Sequence, residues 1–440
     1  MPRRVPGLST GFHRAGAPGG LPGTGRRRQR RRRAFLPAPV SGQLPEPAGP
    51  RREHRPLAVI AEQLSRDDLL RSSRPTELHP SGPLQAARRP GARRPALWES
   101  RLTRRLPRAR RPSSRVPELR IDPLTGLKTI IAGERASRPG AWLSVTPAEP
   151  IDHEGDPFAE GHEDQTPPEI CAVRDGTAPD SPGWRVRVVP NRYPALDPDS
   201  PEPPASANRD LFWAAPARGA HEVIVNAPQA VTSLAELDAA QVAEAVEVWR
   251  ERIAAHADAA CVQLIVNERI EAGASLPHTH AQLYALDFVP ASVAREREAF
   301  GAHARRTVGG NLLGDLVQEE VRGGERLVAV DDEAVLLAPY ASRVPFQMMV
   351  APRRPRARFE EPGPTGAALL HDGLGRLSRR LDNSPPLNLW VRTAPRGADP
   401  FCWRIDIAPR LTHLAGLELS TGVHLNVLTP ERAAAELRDA

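Results

Sequence analysis

The sequence predicts an α+β fold of two similar halves, each an antiparallel sheet with a helix, preceded by a disordered Arg/Pro-rich segment. Three observations predict it: composition changes near residue 117, apolar residues recur with period two in short runs, and a sheet, helix, sheet order occurs twice, in residues 118–310 and again in 311–440.

The leading segment comes first. Residues 1–117 hold 27 Arg, no Lys and 7 acidic residues, whereas the rest of the 440-residue chain holds 33 basic and 46 acidic ones. The overall charge of +7 therefore conceals a basic arm on an acidic body. Arginine runs such as Arg26 to Arg33, broken only by Gln29, lie among Pro, Gly and Ser without apolar periodicity, and such a stretch cannot bury enough surface to order itself. Clustered Arg neutralises phosphates, so a nucleic-acid arm is one reading of residues 1–117. No aromatic residue sits inside the arginine runs to stack a base, which favours a plain extension or an over-long gene start.

Order is expected from Leu119. A Pro and Gly turn, Asp122 to Gly126, leads into a strand over Leu127 to Ala132. Trp184 to Pro190 alternates, and His221 to Val225 is β-rich; both read as strands. Ser233 and Glu236 have capping-box spacing, and Val242, Val246, Trp249 and Ile253 share one helical face, predicting a helix between Ser233 and His256. Val262 to Val266 and Leu276 to Leu286 read as a hairpin. The second half repeats the order: strands over Leu327 to Pro339 and Val344 to Pro352, a helix over Ala367 to Leu381, then strands over Leu387 to Arg392 and Trp403 to Ala408.

Chemistry concentrates in Asn267 to Leu286. On a strand, His278, His280 and Gln282 would share one face, beside a loop with Gly273 and Ser275, and such a strip can grip a phosphate. Neutral imidazole attacks phosphorus near pH 7 when its other ring nitrogen donates a hydrogen bond. His-x-His spacing alone leaves a metal site or a merely decorated strand equally open.

His278, His280 and Gln282 together with Asn267, Gly273 and Ser275 resemble the uridylyltransferase branch of the histidine-triad superfamily, the galactose-1-phosphate uridylyltransferase family. The resemblance covers roughly residues 119–439 and makes the two halves histidine-triad-like. It implies that His280 is the nucleophile and that Gln282 supports the bound nucleotidyl phosphate, since an amide donates hydrogen bonds but cannot shuttle a proton to water. D-P-L-T-G followed by G-E-R-A-S-R-P matches the family's opening motif, implying that Arg135 and Arg138 contact substrate phosphates. V-V-P-N-R-Y-P-A-L implies a nucleoside contact at Asn191, and A-G-L-E-L-S-T-G a hexose contact at Glu418. Asn267, Gly273 and Ser275 would cradle the diphosphate.

The chain also departs from the pattern. Where many members carry C-P-F-C it has Asp156, Pro157, Phe158 and Ala159, and a further expected histidine is Ala230. Zinc is usual in the family, yet of that site's ligands only His278 matches, with Asp156 as a conceivable addition. Glu296, Arg392, Arg404 and Asp406 stand where some members hold a second metal, so no metal cofactor is expected, and ion pairs among these four residues would replace the crosslink.

The resulting expectation is a two-step nucleotidyltransferase acting on a nucleotide sugar and a hexose 1-phosphate, UDP-glucose leading. An ADP-glucose phosphorylase-like adenylyltransferase, a nucleic-acid-binding protein on an inactive scaffold and a dinucleoside polyphosphate hydrolase are the alternatives. The resemblance implies a homodimer. Three scattered cysteines without a C-x-x-C pair, and no apolar run near the ~18 residues a membrane span needs, point to a soluble, cytoplasmic protein that spans no membrane.

Overall fold

The computed structural model describes residues 116–138, 142–206, 208 and 210–440. The expectation for residues 1–117 thus lies, save for Val116 and Pro117, outside the described residues.

The first half runs β1 (Glu118–Ile121), β2 (Lys128–Ile131), β3 (Cys171–Arg174), β4 (Trp184–Pro190), β5 (Gly219–Val225), α1 (Ala239–Ala255), β6 (Cys261–Glu268), β7 (His280–Leu286) and α2 (Ala291–Thr307). The second runs α3 (Leu312–Gly323), β8 (Leu327–Val330), β9 (Ala334–Leu337), β10 (Met348–Pro352), α4 (Ala367–Arg380), β11 (Leu387–Arg392), β12 (Arg404–Pro409), α5 (Gly416–Thr421), β13 (His424–Asn426) and α6 (Pro430–Arg438). Ten strands form one sheet in the order β3-β4-β5-β7-β6-β11-β12-β10-β9-β8, and β1, β2 and β13 form another. Every pair in the large sheet is antiparallel. This is a mixed α+β architecture. Read inward from either end, the sheet has the same order, with α1 between β5 and β6 and α4 between β10 and β11.

One apolar cluster spans the sheet's centre. Val186, Ile224, Leu264, Ala281 and Leu283 meet Val242, Val246, Trp249 and Ile253 of α1, and Leu389, Ile405 and Ile407 meet Leu370, Leu374 and Leu377 of α4. Period-two alternation in β7 drives Ala281, Leu283 and Ala285 into this layer, so His280, Gln282 and Tyr284 take the opposite face. Phe300 of α2 with Leu313 and Val317 of α3 packs on Leu337, Met349 and Phe401, a second layer that the sequence reading did not foresee.

Several boundaries differ from expectation. The helix begins at Ala239, where Asp238 accepts the Gln241 N–H; Ser233 instead starts a separate 3-10 turn over Leu234–Glu236. Its hydroxyl and the Leu234 N–H both bond the carboxylate of Glu268 at 2.7 Å, which binds that turn to β6. Burial pushes Glu268 up to about 7 against those two bonds. Leu327 to Pro339 is a hairpin, not one strand, because Asp331 Oδ1 takes the N–H groups of Glu333 and Ala334 and turns the chain. Strand β7 begins at His280 rather than Leu276, since the Thr279 N–H bonds the Val231 carbonyl of a loop instead of a ladder partner.

Candidate active site

His280 opens β7 between β5 and β6, opposite Val225. It is only 3% exposed. Its Nδ1–H donates to the His278 carbonyl at 2.7 Å, leaving Nε2 with its lone pair. Burial, and secondarily the charge at His278, draw its pKa below the ordinary histidine range, so the ring is neutral at pH 7. The edge of Phe158 stands 5.1 Å from it, centroid to centroid.

His278 lies before the strand, not on the same face of it as expected. Its Nδ1 meets Asp156 Oδ2 at 2.7 Å and its Nε2 meets the Ala227 carbonyl at 2.8 Å. Both partners are acceptors, so both ring nitrogens serve as donors. Asp156 is buried, which alone would raise its pKa, but the bonds from His278 and the Phe158 N–H hold it below the usual carboxylate range. The peptide between the two histidines is pinned as well: Asn226 Nδ2 donates to Thr279 Oγ1 at 3.2 Å and Asn226 Oδ1 accepts from Trp249 Nε1 at 3.0 Å. The histidine pair thus hangs on the α1 core.

Gln282 is held by two residues that sequence reasoning missed. His221 Nδ1 accepts the Ala195 N–H at 3.1 Å, so the neutral ring carries its proton on Nε2 and donates it to Gln282 Oε1, 3.1 Å away. Burial lowers the His221 pKa, in keeping with that neutral form. The Tyr284 hydroxyl donates to the same oxygen at 3.0 Å, and its ring stacks on His221 at 4.1 Å. With Oε1 occupied twice, the Gln282 NH₂ is the free end. Asn191 sits against this group, its Nδ2 3.1 Å from His221 Nε2 and its Oδ1 taking the Tyr193 N–H at 2.8 Å.

The loop residues converge from β6. Gly273 has φ +90°, a left-handed conformation that ends the turn Ile270–Ala272 and suits glycine. Asn267 Oδ1 accepts from Asn388 Nδ2 at 2.8 Å, which also donates to the Ala272 carbonyl at 2.8 Å. Asn388 belongs to the second half, and nothing local in the sequence marked it. Gly273 and Ser275 are exposed beside them.

Arg135, Arg138 and Glu418 are brought together elsewhere. They line a cavity of about 690 Å³ between the small sheet and α5 whose lining includes none of His278, His280 or Gln282. Glu418 Oε2 there accepts the Ala415 N–H at 3.0 Å.

At the positions linked by resemblance to metals, side chains meet one another. Arg404 donates to Glu296 Oε2 at 2.9 Å and to Asp406 Oδ2 at 2.8 Å, and Arg392 Nε lies 3.4 Å from Glu296 Oε1. Among the described residues no group of three or more His, Cys, Asp or Glu side chains is arranged to hold a metal ion.

A family profile for the N-terminal domain of galactose-1-phosphate uridyl transferase matches residues 109–290. The chain is 28% identical over 340 residues to ADP-glucose phosphorylase of Arabidopsis thaliana, covering 73% of this chain and 93% of the relative. It is 29% identical over 338 residues to galactose-1-phosphate uridylyltransferase of Haemophilus influenzae, covering 73% and 94%. Among solved structures, the Arabidopsis ADP-glucose phosphorylase with bound ADP-glucose superposes with a TM-score of 0.61 at 26% identity, covering 74% of this chain and 99% of that one. A uridylyltransferase structure gives 0.57 at 25% identity, covering 74% and 98%.

Proposed function

We propose that this chain, whose residues 109–290 match the N-terminal-domain profile of galactose-1-phosphate uridyl transferase, transfers a nucleoside monophosphate from UDP-glucose to a hexose 1-phosphate through a nucleotidyl-His280 intermediate. The observation that carries the proposal is the state of His280: a neutral, buried ring with Nδ1–H bonded to the His278 carbonyl and Nε2 unengaged.

In the first step the Nε2 lone pair attacks the α-phosphorus, an N–P bond forms, and the bridging P–O bond breaks with its electrons going to the departing sugar 1-phosphate. The bond from Nδ1–H to the carbonyl stabilises the positive charge on the ring. The free NH₂ of Gln282 and the N–H groups of the Gly273 loop would donate to the equatorial phosphoryl oxygens, and Asn191 would meet the nucleoside. In the second step a phosphate oxygen of the acceptor attacks the same phosphorus and the N–P bond breaks, returning the lone pair to Nε2. The Gln282 amide does not titrate near neutral pH and cannot take a proton from an attacking water, which disfavours hydrolysis. The Asp156–His278 and Glu296–Arg404–Asp406 contacts would hold the geometry of these segments.

We further propose that the two sheet halves are histidine-triad-like units, 118–310 and 311–440, and that the protein acts as a homodimer. The cavity with Arg135, Arg138 and Glu418 shares no lining residue with the β7 histidine strip, so a second copy offers a way to set those side chains against the substrate of His280.

A second reading, phosphorolysis of ADP-glucose, is favoured by the likeness to the Arabidopsis enzyme over most of both chains. One experiment tests both. The protein and a His280→Ala variant are incubated with α-phosphorus-labelled UDP-glucose or ADP-glucose, and acid-labile protein-bound label is measured. Label from UDP-glucose that requires His280 supports the first reading, label from ADP-glucose the second, and no label from either overturns the intermediate.

A further inference from the structure

The strand registers carry an internal twofold relation. In the pairing of β6 with β11, Ile265 faces Trp390 and Asn267 faces Asn388. Ile265 also faces Gln282 of β7, as Trp390 faces Asp406 of β12. Taking the Ile265–Trp390 pair as the centre of that relation, exchange of β6 with β11 and of β7 with β12 carries Gln282 onto Asp406 and His280 onto Arg404. The same exchange takes β5 to β10, with Val223, opposite Gln282, moving to Met349, opposite Asp406. It takes β4 to β9, with Val189 moving to Leu337, so the loop from Asn191 to Ala195 corresponds to Pro339 to Arg343.

At that second position lies a cavity of about 390 Å³, lined among others by Pro339, Arg343, Trp390, Arg392 and Arg404. It is the counterpart of the proposed nucleotidyl site, without a nucleophile. Four guanidiniums line it, with Arg295 the fourth, against three carboxylates. Two of these, Glu296 and Asp406, are already engaged by Arg404, and the third, Asp122, accepts the Leu124 N–H at 3.0 Å and the Thr125 hydroxyl at 2.5 Å. Arg295 and Arg343 have no carboxylate partner among the described residues. The Arg343 guanidinium lies 5.3 Å from the centre of the Trp390 ring. The Trp390 indole N–H is buried without a hydrogen-bond partner, and the Arg392 Nε–H makes no hydrogen bond although it lies at ion-pair distance, 3.4 Å, from Glu296 Oε1, while Arg392 Nη1 donates to Gln263 Oε1 at 2.8 Å.

Unpaired buried donors are costly, and an oxyanion that accepts from them recovers the loss. We propose that this cavity is a second, non-catalytic anion pocket for a phosphorylated small molecule, its phosphate held by Arg343, Arg392 and the Trp390 indole. Its volume exceeds what bare phosphate fills and suits a phosphate carrying a sugar or nucleoside. The inference stands apart from the chemistry at His280.

The test uses the full chain with His280→Ala, so that no covalent transfer intervenes, with its tryptophans labelled with nitrogen-15. The Trp390 indole resonance is assigned with Trp390→Phe, and inorganic phosphate, glucose 1-phosphate and AMP are titrated separately. The proposal expects a saturable shift of that resonance, weakened about tenfold by Arg343→Gln, with the tightest of the three probes naming the ligand. Arg295→Gln, at an exposed position, repeats the test should the Arg343 variant fold poorly. An unmoved Trp390 resonance up to about 10 mM of every probe, or shifts indifferent to both arginine variants, overturns it.

Discussion

At the residue scale, nucleotidyl transfer depends on protonation and on which end of an amide is free. The His280 ring must be neutral to attack, and burial lowers its pKa. Lowering the pKa of a group needed in its basic form moves the acidic limb of the rate profile to lower pH. The kcat/KM for donor cleavage is therefore expected to stay level through neutral pH and to fall only below the ordinary histidine value of 6.5; a limb at or above that value would contradict the geometry. Tyr284→Phe removes one of the two donors that orient Gln282. It should lower kcat/KM about five- to tenfold, the equivalent of ~1 kcal/mol, with most of the effect in kcat. An unchanged kcat would separate Tyr284 from the amide. His280, Gln282, Asn191 and Asn267 could be named from the sequence as candidates because their motifs and a family resemblance marked them. His221 and Asn388 could not, since each acts through a strand register, and register is not printed in a local motif; Tyr284, two residues from Gln282 on the same strand, belonged to no motif that marked it.

Elements were legible where periodicity was strong. Strands β4 and β11 match their expected spans, while the α1 boundary shifted because two capping residues, Ser233 and Asp238, lie five positions apart and each begins its own turn. Helices α2 and α3 escaped notice for a different reason: α2 buries only Val293, Glu296 and Phe300, too sparse an apolar stripe to read as a period. At the junction of the Ser233 turn with β6, Glu268 supplies a pH dependence. Its pKa is raised from 4.5 to about 7 by burial, so the folded state holds a proton that the unfolded chain releases between those values. Stability should accordingly fall as pH rises through that window, with the cost fully present above it. Glu268→Gln, which keeps an acceptor for the Leu234 N–H, is expected to flatten that slope in urea unfolding followed across pH. A slope that survives the substitution would assign the dependence to other groups.

At the scale of the whole molecule, the repeated strand order builds one sheet with two chemically different halves. One half carries His280 and Gln282 on β7, the other Arg404 and Asp406 on β12, and Arg135, Arg138 and Glu418 sit in a third place. Sequence reading named these residues but not their separation, which depends on how the small sheet and α5 meet. If a homodimer brings the third group to His280, co-expressed His280→Ala and Arg138→Ala chains, each inactive alone, should recover roughly a quarter of wild-type activity, since half the dimers are mixed and each holds one intact site. No recovery would place the complete site within a single chain. A nucleotidyl group on His280 would be detected by mass spectrometry of the protein quenched at alkaline pH during turnover without acceptor. One nucleoside monophosphate is expected on the peptide that contains both histidines, localised by fragmentation to His280 and removed on adding hexose 1-phosphate or phosphate. An adduct on His278, or none while donor is consumed, would contradict it.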